Sequence, residues 1–215
     1  MQNFVLLSSQ ELDSYKTKYP NSNFYIIPNL NTNYSQKVVL SMGRIEKTNQ
    51  KGFLRLIDIW KLIQDSGEFN DWKLHIVGDG DLKEQIKTKI ENLNLSNSII
   101  LKPFTTEVEK EYLSASIYAM TSHFEGLPMV LIEAGTYALP TIAFDIATGP
   151  SDIIEDEKSG YLIKDNDINE YATKLKTLMS DENLRAKMGK KSKEIVKNKF
   201  SKEVVMKQWM ELFKK

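Results

Sequence analysis

The sequence predicts an α/β protein: a parallel sheet of about six strands with helices on both faces. Short apolar runs alternate with amphipathic stretches about six times from residue 37 onward. Several of those runs are continuously apolar, as strands covered on both faces are. After them come loops holding glycines and charged residues, where open parallel sheets carry their ligand-binding groups.

Taken in order, residues 4–7 and 24–27 read as short strands, with a helix over 11–19 ended by Pro20-Asn21. The polar stretch 29–36 reads as a linker. Residues 38–42 form an apolar strand, followed by Gly43-Arg44 and a polar loop to Lys51-Gly52. A helix over 53–64 follows, with Phe53, Leu56, Ile57, Trp60 and Ile63 on one side as core. The strand 72–77 ends in Gly78-Asp79-Gly80, and Asp81 is placed to cap a helix running to about 93. Strands at 99–101, 117–121, 140–144 and 160–163 alternate with helices at 107–115, 128–138 and 151–155. Helices at 167–179, 181–188, 190–198 and 201–213 complete the chain, the last amphipathic through Val204, Val205, Trp209 and Leu212.

Composition removes several classes of function. Lys plus Arg and Asp plus Glu stand at 29 each, so no global field favours nucleic acid or an anionic surface. There is no cysteine, which excludes disulfides and thiolate metal sites, and two separated histidines make a zinc site improbable. No apolar run reaches the roughly 18 residues of a membrane span, and the first residues lack the basic start of a signal peptide. A cytoplasmic protein is the expectation. The lysine-rich stretch 187–199 reads as a solvated helix face, with contact to an anionic membrane as the alternative.

The centre of the chain is the stretch from Ser122 to Ala134. A strand feeds a loop carrying Glu125 and Gly126, and Pro128 stands where a helix begins. Helix starts expose unpaired N–H groups that attract phosphate. Glu125 lies before that start, and Glu133 lies inside it with its side chain leaning back toward the loop. Carboxylates beside a phosphate-attracting helix end suit a ligand with phosphates and hydroxyls, such as a sugar nucleotide.

The string Glu-Gly-Leu-Pro-Met-Val-Leu-Ile-Glu-Ala resembles the Glu-x7-Glu element of retaining glycosyltransferases of family 4, with Glu125 and Glu133 as its acids. Gly43-Arg44 with Lys51-Gly52 is similar to the cation pair that holds the donor diphosphate in that family, and Val77 to Gly80 to its Val-Gly-Asp-Gly turn. The spacing from Arg44 to Lys51 is two residues longer than the commonest form, which leaves Lys47 as a rival to Lys51. The resemblance implies a Rossmann-like domain, one half of a GT-B fold, binding a nucleoside-diphosphate sugar. It implies catalytic roles for Glu125, Arg44 and Lys51. Donor contacts would come from Gly43, Gly78, Lys102, Phe104, Glu125, Gly126, Leu127, Pro128, Met129 and Glu133, with the base read through backbone groups near Lys102-Pro103-Phe104. His123 reads as a structural loop residue beside the site, with a catalytic role as the alternative, and His75 as a strand residue. No metal or other cofactor is required, because Arg44 and Lys51 meet the phosphate charge.

The same resemblance divides the chain into a remnant of a preceding domain at 1–28, a nucleotide-sugar-binding domain at 29–199, and a terminal helix at 200–215 that returns toward the absent domain. That helix is expected to be mobile or repacked. The implied reaction is retaining transfer of a hexose-type sugar to an alcohol on a polysaccharide, glycolipid or glycoprotein precursor. Partners would be the donor and an acceptor-binding N-terminal domain or companion chain. Peripheral contact with the inner membrane face is a further expectation, and the isolated chain is expected to bind donor but transfer little. The rivals are a non-catalytic subunit or partner of a split transferase, and a sugar-nucleotide epimerase.

Overall fold

The computed structural model describes residues 3–6, 23–26 and 33–213. Two compact units divide the chain, Met1–Asn31 and Thr32–Lys215. In the first, β1 (Asn3–Leu6) pairs in parallel with β2 (Asn23–Ile26). The helix expected at 11–19 lies outside the described residues.

The second unit holds a six-stranded parallel sheet in the order β5-β4-β3-β6-β7-β8. Its strands are β3 (Val38–Met42), β4 (Lys73–Val77), β5 (Ile99–Lys102), β6 (Ile117–Met120), β7 (Thr141–Asp145) and β8 (Gly160–Lys164). This is the doubly wound, Rossmann-like order, in which the chain reverses direction across the sheet between β3 and β6. Side chains alternate across each strand. Val39, Leu74, Ile76, Ile117, Ala119, Ile142 and Phe144 enter one core, while Leu40, Val77, Tyr118, Met120 and Ala143 enter the other.

Helices α1 (Phe53–Gln64), α2 (Lys83–Asn92) and α6 (Ile168–Ser180) close the first face. Helices α3 (Val108–Leu113), α4 (Met129–Thr136), α5 (Pro150–Ile153) and α7 (Glu182–Phe200) close the second. In α1, Phe53, Leu56, Ile57, Trp60 and Ile63 are no more than 1% exposed. Each contributes about 1.5–3 kcal/mol as an upper bound on burial.

Several boundaries differ from the sequence expectation for identifiable reasons. Asp81 does not cap α2; Leu82 is the N-cap and no side chain bonds the helix start. Pro128 is not the first helical residue of α4 but its N-cap, with extended ψ of 93°. The helices expected at 181–188 and 190–198 are one helix, α7. Gly189 does not interrupt it, because a Cβ there would lie 1.9 Å from the Ala138 carbonyl oxygen, so the glycine serves close packing against the end of α4. Helix α8 (Lys202–Leu212) is a regular helix capped by Ser201, with Met206, Trp209, Met210 and Phe213 exposed. Among the described residues no helix is long and apolar enough to cross a membrane.

Candidate donor site at the β3–β6 crevice

The strand pairing itself opens the site. β3 pairs with β6 through Val39–Ile117 and Leu40–Tyr118, whereas its pairing with β4 runs the full length to Met42–Val77. At Met42 the hydroxyl of Tyr118 stands in for the missing neighbour: the Met42 N–H donates to it, and it donates to the Met42 carbonyl, both at 3.2 Å. Both Met42 backbone groups are thus bonded, yet the strands part at their carboxyl ends.

The resulting cavity of about 400 Å³ is lined by Met42, Gly43, Arg44, Val77, Gly78, Asp79, Phe104, Thr105, Val108, Val130 and Glu133. Its walls are apolar, with Arg44 and Glu133 among the polar groups on its rim, a composition suited to a small ligand. Gly78 is required by packing, since a Cβ there would meet the Gly43 carbonyl oxygen at 2.0 Å. Arg44 is 78% exposed in its side chain and pairs with Glu46 at 3.2 Å. Glu133, on α4, accepts a 2.7 Å hydrogen bond from the Tyr112 hydroxyl of α3. Burial, then Tyr118 and Glu133 nearby, pushes the Tyr112 phenol well above its usual range, so it stays a donor.

Beside the cavity is a second cluster. Lys51 Nζ lies 2.6 Å from Glu125 Oε1, with side-chain exposures of 22% and 9%. Gly43 joins the two groups: it lines the cavity, and a Cβ on it would meet the Lys51 side chain at 3.0 Å. The loop before α1 and the loop before α4 are laced together. The His123 N–H donates to the Gln50 carbonyl at 2.8 Å, and the Gln50 amide donates to the Phe124 carbonyl at 3.0 Å. Thr121 Oγ1 donates to the Gly52 carbonyl at 3.0 Å.

The cavity thus gathers Gly43, Arg44, Gly78, Phe104 and Glu133 of the residues singled out by sequence, with Lys51 and Glu125 adjoining it. Others stand apart from its lining. Lys102 directs its ammonium to Glu111 at 2.7 Å, and its carbonyl accepts from the Gly78 N–H. Leu127 and Met129 are exposed, Gly126 faces open space, and Pro128 is buried against Gly149. Pro128, the N-cap of α4, makes no side-chain capping bond.

Three contributors escaped sequence reading. Tyr112 and Tyr118 lie in the predicted helix 107–115 and strand 117–121, and no motif marks them. Arg55, within the core face of α1, is 8% exposed and donates to the carbonyls of Thr121 (2.6 Å) and Ser122. It also bonds Asp165 at 2.8 Å. Its only sequence signal was a charge among apolar helix positions. The His123 side chain is largely exposed, yet partial desolvation of its ring, then the nearby Arg55 charge, lowers its pKa against the opposing pull of Asp165. Among the described residues no group of three or more His, Asp or Glu is placed to hold a metal ion.

Known proteins share this chain's sequence and fold. Residues 25–195 match the family described as glycosyl transferases group 1. The chain is 39% identical over 177 residues to the amylovoran biosynthesis glycosyltransferase AmsD of Erwinia amylovora, covering 82% of this chain and 48% of that protein. It is 34% identical to the poly(ribitol-phosphate) alpha-N-acetylglucosaminyltransferase of Staphylococcus aureus, over 97% of this chain and 43% of that protein. The chain therefore spans about half the length of these relatives. A solved S. aureus TarM complex with fondaparinux, alpha-GlcNAc-glycerol and UDP superposes with a TM-score of 0.79 at 32% identity, covering 98% of this chain and 43% of that one. With a Rossmann-like sheet, a crevice at its reversal point and these matches, the chain belongs to the glycosyl transferases group 1 family.

Proposed function

We propose that this chain is the donor-binding part of a retaining glycosyltransferase that takes a nucleoside-diphosphate sugar, with a UDP-sugar as the first candidate. One observation carries the reading: Arg44, from the loop after β3, and Glu133, on α4, line one cavity with the Lys51–Glu125 pair at its side.

Arg44 offers a two-pronged donor to the diphosphate, and Lys51 a point charge. The exposed Arg44–Glu46 pair is worth only about 0–1 kcal/mol, so its guanidinium turns to an anion at little cost. The start of α4 adds its amide dipoles. Together these groups stabilise charge on the leaving diphosphate as the sugar C1–O bond breaks. Glu133, steadied by Tyr112, accepts from ribose hydroxyls. Glu125 orients the transferred sugar, while the acceptor hydroxyl attacks C1 on the same face and its proton passes to a diphosphate oxygen. Arg44 and Lys51 carry the phosphate charge in this reading without calling on a metal.

Support for retention comes from the alpha linkage in the names of two relatives, the S. aureus poly(ribitol-phosphate) alpha-N-acetylglucosaminyltransferase and the poly(glycerol-phosphate) alpha-glucosyltransferase of Bacillus subtilis. An alpha product from an alpha-linked donor is a retained configuration. These relatives, with AmsD, favour a polysaccharide or polyol-phosphate acceptor. The acceptor site would belong to another domain or chain, so the isolated 215-residue chain binds donor and transfers little. We place it in the cytoplasm.

Calorimetric titration with UDP-, GDP- and ADP-sugars tests this. We expect binding of at least one, weakened about tenfold or more by Arg44→Ala and by Glu133→Ala. Silence with all three sugars, or full affinity in both variants, refutes it.

A further inference from the structure

The segment that carries Glu125 is held by its backbone in an unusual way. The carbonyls of Thr121, Ser122, Phe124 and Glu125 each accept a hydrogen bond from a side chain of another element. Arg55 Nε and Nη2 reach the first two, Gln50 Nε2 the third at 3.0 Å, and Thr148 Oγ1 the fourth at 2.5 Å. Arg55 is anchored from behind: Nη1 donates to Asp165 at 2.8 Å and to Asn166 at 3.0 Å, and the guanidinium lies 4.1 Å from the Phe144 ring centre.

A buried guanidinium is a costly choice for packing alone, because an apolar side chain of similar size fills such a place with less desolvation. Here its planar donors match two consecutive carbonyls at the carboxyl end of β6 and a carboxylate beyond β8. A lysine offers no such fork. The group therefore joins the Glu125 loop to α1 and to the β8–α6 loop.

We propose that Arg55, helped by Gln50 and Thr148, is a positioning residue that fixes the 121–125 backbone so that Glu125 meets Lys51 and the donor sugar. This rests on the donor-binding reading given above. It touches no reacting atom and acts through the carbonyls it holds.

The test uses the 215-residue chain and UDP-N-acetylglucosamine as probe, with Arg55→Lys, Arg55→Met and Thr148→Val variants. Alongside calorimetry, hydrogen exchange of the His123 amide reads the loop directly, since that N–H is donated to the Gln50 carbonyl. Arg55→Met is expected to weaken binding about tenfold or more, with Arg55→Lys between it and wild type. Thr148→Val, at an exposed site, is expected to cost about threefold. Exchange at His123 should accelerate in Arg55→Met, and the His123 ring should titrate at higher pH once the guanidinium charge is gone.

Folded Arg55 variants with wild-type affinity and unchanged His123 exchange overturn the proposal. If Arg55→Met does not fold, Arg55→Lys and Thr148→Val decide by the same two readouts. A wild-type chain that binds no sugar nucleotide sinks the donor reading instead. The exchange data then judge the positioning claim by themselves, and unchanged protection at His123 overturns it.

Discussion

Lys51 and Glu125 neutralise each other across 2.6 Å in a place where water reaches little of either side chain. Removing one partner leaves the other charged and poorly solvated, which costs more than the pair contributes. Lys51→Met should therefore lower unfolding free energy by about 2–4 kcal/mol in urea titrations. Glu125→Gln, which keeps an acceptor for the ammonium, should cost about 1 kcal/mol. Tyr112→Phe should cost about 1 kcal/mol as well and loosen donor binding by releasing Glu133. His75 gives a pH signature. It is 9% exposed with Nδ1 unpartnered among the described residues, and burial, then the Lys102 charge, lowers its pKa against the pull of Glu111. The unfolded chain thus takes up its proton first, so stability is full above the unfolded value of about 6.5 and declines as pH falls toward the lower folded value. His75→Leu should flatten the fall in urea midpoint between about pH 8 and about pH 5. An equally steep fall in that variant would assign the effect elsewhere.

The helices and strands carry their own lesson about what a sequence reveals. Apolar periodicity located α1 and its buried face correctly, because Phe53, Leu56, Ile57, Trp60 and Ile63 differ sharply from their neighbours in polarity. Local pattern failed where a residue answered to a distant one. Gly189 looked like a helix break, since glycine costs about 1 kcal/mol in a helix relative to alanine. Its use is non-local: it lets α7 lie against the Ala138 carbonyl, which also accepts from the Tyr34 hydroxyl at 2.7 Å. Gly189→Ala should accordingly destabilise by about 2 kcal/mol or more, despite alanine's higher helix propensity, as thermal or urea unfolding would register. A neutral or stabilising result would mean that α7 is free to shift. Arg55 escaped detection for the same reason, its partners lying 66 and 110 positions away.

Across the molecule, the sheet order places β3 and β6 side by side at the point where the chain reverses, and Tyr118 lets their ends diverge. That combination builds the crevice, and the loops after β3, β4 and β5 reach it together with Val130 and Glu133 of α4. The fold class, and the loops that would matter, were legible because strand polarity and loop position follow from the alternation of apolar runs. The lateral arrangement was not, since nothing local says that Glu125 would face Lys51 while Glu133 faces the cavity. The central claim is that a nucleoside diphosphate lodges in this crevice. Amide chemical shifts of the labelled chain, followed as UDP is added, test it most directly. Saturable changes should concentrate at Gly43, Arg44, Gly78, Thr105 and Glu133. Changes centred instead on the opposite end of the sheet, around Asn70, Asn94 and Asn97, or none at millimolar UDP, would contradict it.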